Sequence, residues 1–216
     1  MKQKAVPQAD PRVESGPFGK LLADIRKCKE DRKCPCLRSR RYYFEPNPVT
    51  ANEWQALGVF VAGVDCRVVF VCESPGPRIP SKGGAEPLRC WAGGGRNERF
   101  REALKEYDLA NCYITNTVKC GPRRRGRHTD DEIDACRKFL ARELNLLRPL
   151  VAVGVGGNAY RTLRAHVLPI LKYRPVLFQI THYSARGGDA WLWSKWKSEF
   201  GELERLLRRL KPESER

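Results

Sequence analysis

The chain of 216 residues carries 41 Lys and Arg against 25 Asp and Glu, a formal net charge of +16, with 41% hydrophobic residues and nine cysteines. That length and apolar content suit one globular domain with a full core and argue against a disordered chain. No apolar run approaches bilayer length and the N-terminal MKQKAVPQADPRVESG lacks the apolar centre of a signal peptide, so a cytoplasmic protein with no membrane partner is expected.

Residues 1–16, rich in Pro and charge, read as a flexible tail, and a single domain is expected over 17–211. In GPFGKLLADIRKC, Phe18, Leu21, Leu22 and Ile25 recur at helical spacing, which predicts an amphipathic helix ending near Cys28. A short basic segment, CKEDRKCPCLRSRR, follows, and residues 42–65 read as an insertion packed on the core. Four apolar, β-rich runs predict buried strands: Val68 to Cys72, Cys112 to Val118, Leu150 to Val155 and Val176 to Thr181. Because these runs are continuous, without wet alternate positions, a mostly parallel sheet covered on both faces is expected. Helical stretches fall between and after them, at about 96–107, 130–147 with Thr129 or Asp130 as cap, 157–167 and 190–210. Strands alternating with helices predict a three-layer α/β/α sandwich around four strands.

In such sheets ligands bind at the carboxyl ends of the strands. The segments at those ends are Glu73-Ser74-Pro75-Gly76, the stretch from Asn116 to His128, Gly154 to Asn158, and His182-Tyr183-Ser184, so polar and Gly-rich elements converge on one edge. The charge excess favours a polyanionic partner, since each neutralised phosphate releases counterions, and nucleic acid leads over a merely solvated basic surface. An odd number of cysteines in a reducing compartment does not read as a disulfide framework. Metal or cluster ligands are left for some, and buried thiols for others; Cys66, Cys72, Cys90 and Cys112, in or beside apolar runs, are expected in the core.

Four segments, VFVCESPG at 69–76, ITNTVKCGP at 114–122, Cys136 within DDEIDACRKFL, and ITHYS at 180–184, resemble the uracil-DNA glycosylase superfamily, most closely its iron–sulfur branch called family 4. That branch carries GEAPG, a Pro-Phe segment, ITN-x-x-KC-x-P, a further Cys and HPS in the same order. The chain departs from it at Cys72, Ser74 and Tyr183, and RCWAGGG replaces the Pro-Phe segment, with Trp91 at the aromatic position. The resemblance implies a monofunctional DNA glycosylase, a monomer that flips uracil out of DNA and hydrolyses its N-glycosidic bond. The departures leave open a glycosylase for hypoxanthine or xanthine, or a catalytically altered damaged-DNA-binding protein on the same scaffold.

Residue by residue, the resemblance implies a structural 4Fe-4S cluster on Cys120, Cys136, Cys28 and Cys34, with Cys36 as substitute for the last; four thiolates also suit zinc. Asn116 matches the base-reading Asn, whose amide pairs with the uracil edge and refuses cytosine. Trp91 would be the platform for the flipped base, and the backbone of Ser74 to Gly76 would approach sugar and phosphate. Glu73 would orient the attacking water and stabilise positive charge on the sugar, and His182 would stabilise the departing base at O2. Lys119, Arg123, Arg124, Arg125 and Arg127 would hold phosphates. His128 closes RRRGRH, which is somewhat similar to the Arg-Arg-Ile-His loop of a sub-branch that traps DNA covalently, though the loop here has the shorter family 4 length; a phosphate contact is expected of it. Arg186, the large side chain in SARGG, would intercalate or hold a phosphate.

Overall fold

The computed structural model describes residues 16–28, 67–74, 96–109, 112–119 and 128–210. In chain order they form helix α1 (Pro17–Cys28), strand β1 (Val68–Cys72), helix α2 (Arg96–Glu106), strand β2 (Tyr113–Asn116), helix α3 (Asp130–Leu147), strand β3 (Val151–Val155), helix α4 (Gly157–Thr162), strand β4 (Val176–Ile180) and helix α5 (Asp189–Leu210). Between α4 and β4 the chain runs on through a π turn, Leu163–Val167, and a 3-10 turn, Leu168–Ile170, so the helix expected to reach 167 changes its winding after Thr162. The expected three-layer sandwich is present, and the tail and insertion at 42–65 lie outside the described residues.

Apolar alternation builds both layers. Val68, Phe70 and Cys72 of β1 and Val151, Val153 and Val155 of β3 face α2 and α5, where Phe100, Leu104, Trp196 and Phe200 complete the core. Val69 and Val71 face the other way, onto Leu140, Ala141 and Leu144 of α3 and Leu163 and Val167 of the π turn. The Phe100 ring meets Trp196 edge-on, with centroids 5.3 Å apart, an arrangement that adds to area burial. Gly154 is required by packing: a Cβ there would stand 2.6 Å from the Tyr160 backbone, so only Gly lets α4 lie this close to β3. Thr129 caps α3 in a capping box, its hydroxyl accepting from Glu132 N while the Glu132 carboxylate accepts from Thr129 N.

The sheet order is β2-β1-β3-β4, with Cys72 opposite Asn116, Val71 opposite Gly154 and Val155 opposite Ile180, all pairings parallel. From β1 the chain crosses to β2 on one side, and from β3 it crosses to β4 on the other. The crevice between the carboxyl ends of β1 and β3 is therefore the topological switch point, where open α/β sheets bind ligands. One expectation is corrected. β4 is not buried on both sides: it is an edge strand with a single neighbour, Val176 and Gln179 are exposed, and only Ile180 is fully covered.

Candidate active site

The backbone draws the strand ends together before any side chain acts. Beyond β2 the chain bends while staying bonded to the exit of β1: Thr117 N donates to Cys72 O at 2.8 Å, Val118 N to Glu73 O at 3.0 Å, and Thr117 Oγ1 to Glu73 O at 2.6 Å. This bend is why β2 stops at Asn116 and not at the expected Val118. It locks Glu73 beside Asn116, which is 7% exposed at the last position of its strand. Across the switch point, Gly156 N donates to Ile180 O at 2.7 Å, tying the β3 exit to the β4 exit two residues before His182.

His182 has a defined tautomer. Its Nδ1 lies 3.0 Å from Ser184 N and 2.7 Å from Ser184 Oγ. A backbone N–H can only donate, so Nδ1 accepts and the ring proton of the neutral imidazole sits on Nε2. Burial pushes the His182 pKa below its ordinary value, with the Glu73 charge opposing in part, so the neutral ring is favoured. Gly156, at φ +88°, passes so close that a Cβ would stand 2.9 Å from His182 Cβ. Tyr183, next to the histidine, packs on both sides: its ring centroid lies 4.1 Å from that of His182 and 6.0 Å from that of Phe100. Behind the loop, α5 grips Thr181 three times. Glu199 Oε2 accepts from Thr181 N at 2.7 Å, Glu199 Oε1 from Thr181 Oγ1 at 2.6 Å, and Trp196 Nε1 donates to Thr181 O at 2.9 Å.

Glu73 is joined to the β3 side of the crevice. Asn158 Nδ2 donates to Glu73 Oε2 at 2.9 Å, and Arg161 Nη2 donates to Asn158 Oδ1 at 2.5 Å. Ser74 follows Glu73 at the same edge, half-buried.

Two residues expected to contact phosphate are turned inward. Lys119 is 6% exposed, and its ammonium donates to Glu143 Oε2 at 2.6 Å, Thr115 Oγ1 at 2.7 Å and Asn116 O at 2.8 Å. Glu143, from α3, also accepts from Thr115 Oγ1 at 2.9 Å and from Tyr113 OH at 3.3 Å. All three ammonium protons are thus used inside, because a buried ammonium without such partners is strongly disfavoured. The His128 ring is likewise covered, its side chain 3% exposed with Nδ1 3.0 Å from Glu132 Oε2, so it packs on the α3 cap rather than facing a phosphate. Arg186 is exposed, in the loop after His182. Trp91, Gly76, Arg123, Arg124, Arg125 and Arg127 lie outside the described residues.

The family model of the uracil DNA glycosylase superfamily matches residues 60–200, which include every strand and the whole of this edge. The chain belongs to that superfamily. It is similar to the Type-4 uracil-DNA glycosylase of Archaeoglobus fulgidus, at 31% identity over 137 residues, 63% of this chain and 58% of the relative. The Type-4 enzymes of Thermotoga maritima (35% over 97 residues, 44% of this chain and 48% of the relative) and Sulfurisphaera tokodaii (26% over 138 residues, 64% and 57%) are also similar. The chain thus spans about half the length of the relatives it matches.

Within this superfamily member the cysteines divide as chemistry would have it. Cys72 is buried in the core, and Cys112 is half-buried against it, its thiol pushed up to about 12 by desolvation, so Cys112 lacks the lowered pKa of a reactive thiol and Cys72 lacks the exposure of one. Cys136, buried in α3, clusters with Val118, and Cys28, at the end of α1, packs against that cluster. Two of the expected ligand positions, Cys28 and Cys136, are thus brought together from α1 and α3. Cys34, Cys36 and Cys120 themselves lie outside the described residues. Among the described residues no helix is long and apolar enough to cross a membrane.

Sequence reasoning missed Arg161, Glu143 and Glu199, and it placed Asn158 at the converging edge without giving it a role. Asn158 had a signal, since it follows a predicted buried strand at the converging edge. Glu143 and Glu199 had none: each lies deep inside a long helix and reaches its partner only through tertiary packing.

Proposed function

We propose that the chain is a monofunctional glycosylase that turns uracil out of DNA and hydrolyses its N-glycosidic bond, leaving an abasic site. The observation that carries this reading is the fixed tautomer of His182, which presents a neutral Nε2–H at the edge shared with Glu73 and Asn116. Asn116 pairs with the uracil edge, offering an amide donor and acceptor in the order that cytosine cannot match. As the C1′–N1 bond breaks, its electron pair moves onto the base, and the negative charge gathering at O2 is met by His182 Nε2–H. A preorganised donor in a site closed to water supports developing charge without reorganisation, which commonly supplies the largest share of rate enhancement. Glu73 faces the opposite charge: its carboxylate stabilises the cationic sugar, orients the water that attacks C1′, and takes up the proton that water releases.

Around this centre, Trp91 provides the stacking platform and the backbone of Ser74 to Gly76 lies against the sugar. Arg123, Arg124, Arg125, Arg127 and Arg186 hold DNA phosphates, so the partner is DNA and the working form is a monomer. Cys28, Cys34, Cys120 and Cys136, with Cys36 able to replace Cys34, hold a 4Fe-4S cluster, zinc being the alternative. Such a group supplies no redox step here; it adds binding free energy to folding and braces the basic loop. Packing of Cys28 against the cluster that holds Cys136 supports these two members of the donor set.

The test is base release from duplex and single-stranded oligonucleotides holding one uracil, hypoxanthine, xanthine or mismatched thymine. Uracil release by the wild type, lost in Asn116→Ala and His182→Ala, with an abasic site revealed by alkali, is the expected result. Tight binding with no abasic site from any substrate would overturn the enzymatic reading. Iron and sulfide contents of purified protein, against zinc, decide the cofactor.

A further inference from the structure

We infer that Asn158 and Arg161 form a positioning pair for Glu73, bridging the switch-point crevice so that one carboxylate oxygen is held in place while the other is left to the reaction. The inference rests on the role proposed above for Glu73.

A guanidinium only donates, so the Asn158 atom 2.5 Å from Arg161 Nη2 must be the amide oxygen. That fixes the amide, leaving its NH2 to point at Glu73, where Nδ2 lies 2.9 Å from Oε2. Reversing the amide would set its oxygen against a carboxylate oxygen and its NH2 against a guanidinium, two repulsive contacts in place of two hydrogen bonds. The orientation of Asn158 is therefore decided by charge on both sides.

The placement gives this chain its function. Glu73 leaves β1 and Asn158 opens α4 after β3, so their hydrogen bond spans the two strand ends that define the crevice. A glutamate side chain turns about three bonds, and an unrestrained carboxylate would present either oxygen to a water. Pinning Oε2 from the β3 side leaves Oε1 directed away from Asn158. Arg161 is exposed and acts at one remove, holding the amide and adding positive charge behind it. Neither residue need touch substrate. Both act by fixing a group that does, which shows as an effect on turnover rather than on affinity.

The experiment measures single-turnover excision of uracil and KM for wild type, Asn158→Ala, Asn158→Asp and Arg161→Ala, each also in a Glu73→Gln background. Hydrogen bonds to charged groups predict that Asn158→Ala lowers kcat about 10-fold to 100-fold, with KM within about twofold. Asn158→Asp keeps the shape but sets a second carboxylate against Glu73, and it falls further than Ala; Arg161→Ala falls less. In the Glu73→Gln background, Asn158→Ala adds less than about a twofold loss, because residues that act through one another are not additive. A residue needed only for shape would tolerate Asp and would add its full loss in that background. Thermal melting of each variant shows whether it is folded. An active wild type with Asn158→Ala and Asn158→Asp equal to it, or with fully additive losses, overturns the positioning role alone. A wild type that releases no base overturns the functional reading and this role with it.

Discussion

Two polar constellations flank strand β2, and they differ in how completely they are closed. Behind β2, Lys119, Glu143, Thr115, Tyr113 and the carbonyl of Asn116 bond to one another at 6% exposure or less for the two charged groups. At the crevice, the exposed Arg161 bonds to Asn158 and Asn158 to Glu73, whose charge acts on His182, the last three being half-buried. The first is a closed network in which every strong donor has found an acceptor. It has nothing left to offer a ligand, and its product is a rigid position for Asn116. The second is held from behind and open in front, as a reacting site must be. Charge near an active site is thus not evidence of chemistry; incomplete enclosure is the distinguishing feature.

The largest effect should come from opening the closed network. Lys119→Met leaves Glu143 buried without its cation, and breaking one partner of a buried pair costs about 3–5 kcal/mol. Glu143→Leu strands the ammonium and two hydroxyls and should cost a similar amount. The double variant, Lys119→Met with Glu143→Leu, should lose clearly less than the sum, since no charge is then orphaned. Denaturant unfolding of the four proteins measures this, and additive losses would show that the two side chains are not one network.

Next in size is the open site. His182→Ala should lower kcat about 100-fold to 1000-fold, the cost of removing one preorganised donor to a developing anion, with little change in stability. The pH dependence follows from the sign of the shift. Burial lowers the His182 pKa, so the neutral donor persists below the ordinary value of about 6.5. Above about 6.5 the ring is neutral whether the chain is folded or not, and it contributes no pH dependence to stability. As pH falls below that, the unfolded chain takes the proton first, and stability declines until the buried ring protonates too. His182→Gln should flatten that part of the stability profile; an unchanged slope would place the titration elsewhere.

Glu199→Gln probes the support of the same loop at a smaller scale. Gln keeps an acceptor for only one of the two Thr181 donors, at 2.7 and 2.6 Å, and weakens both by removing charge. A loss of about 1–3 kcal/mol in stability is expected, with kcat reduced because the position of His182 depends on Thr181. Unfolding curves and single-turnover rates on the same samples separate the two effects.

The sheet and most helices were legible because apolar runs and helical periodicity are local records of burial. The four strand positions and the span of α3 follow from them directly. β4 misled because an apolar run does not record what covers it: β2, the other edge strand, is largely buried, whereas Val176 on β4 is exposed. Lys119 misled for the converse reason. A Lys beside a run of arginines reads as part of a phosphate patch, yet its reach is inward, to a Glu on a helix that begins eleven residues later. Asn116, Glu73 and His182 were found through motif resemblance and the strand-end rule together. Their supports were not, since Asn158, Glu143 and Glu199 lie 85, 24 and 18 residues from the groups they hold.

The smallest effect belongs to a third polar cluster, at the start of α3, where the capping Thr129 is exposed although the His128 ring beside it is covered. Glu132 Oε2 accepts from Thr129 N at 3.0 Å and meets His128 Nδ1 at 3.0 Å, while Thr129 Oγ1 accepts from Glu132 N at 3.3 Å. Thr129 is exposed, so water can take over the N–H it caps. Thr129→Ala should therefore cost about 1 kcal/mol, the usual loss for an N-cap, and Thr129→Ser should restore it. Excision rates should be unchanged, because the cap touches neither the crevice nor β2. A loss approaching that of Lys119→Met would mean that the capping box, with the His128 ring packed on it, belongs to the closed network behind Asn116. The gradient from buried to exposed would then not be what ranks these clusters.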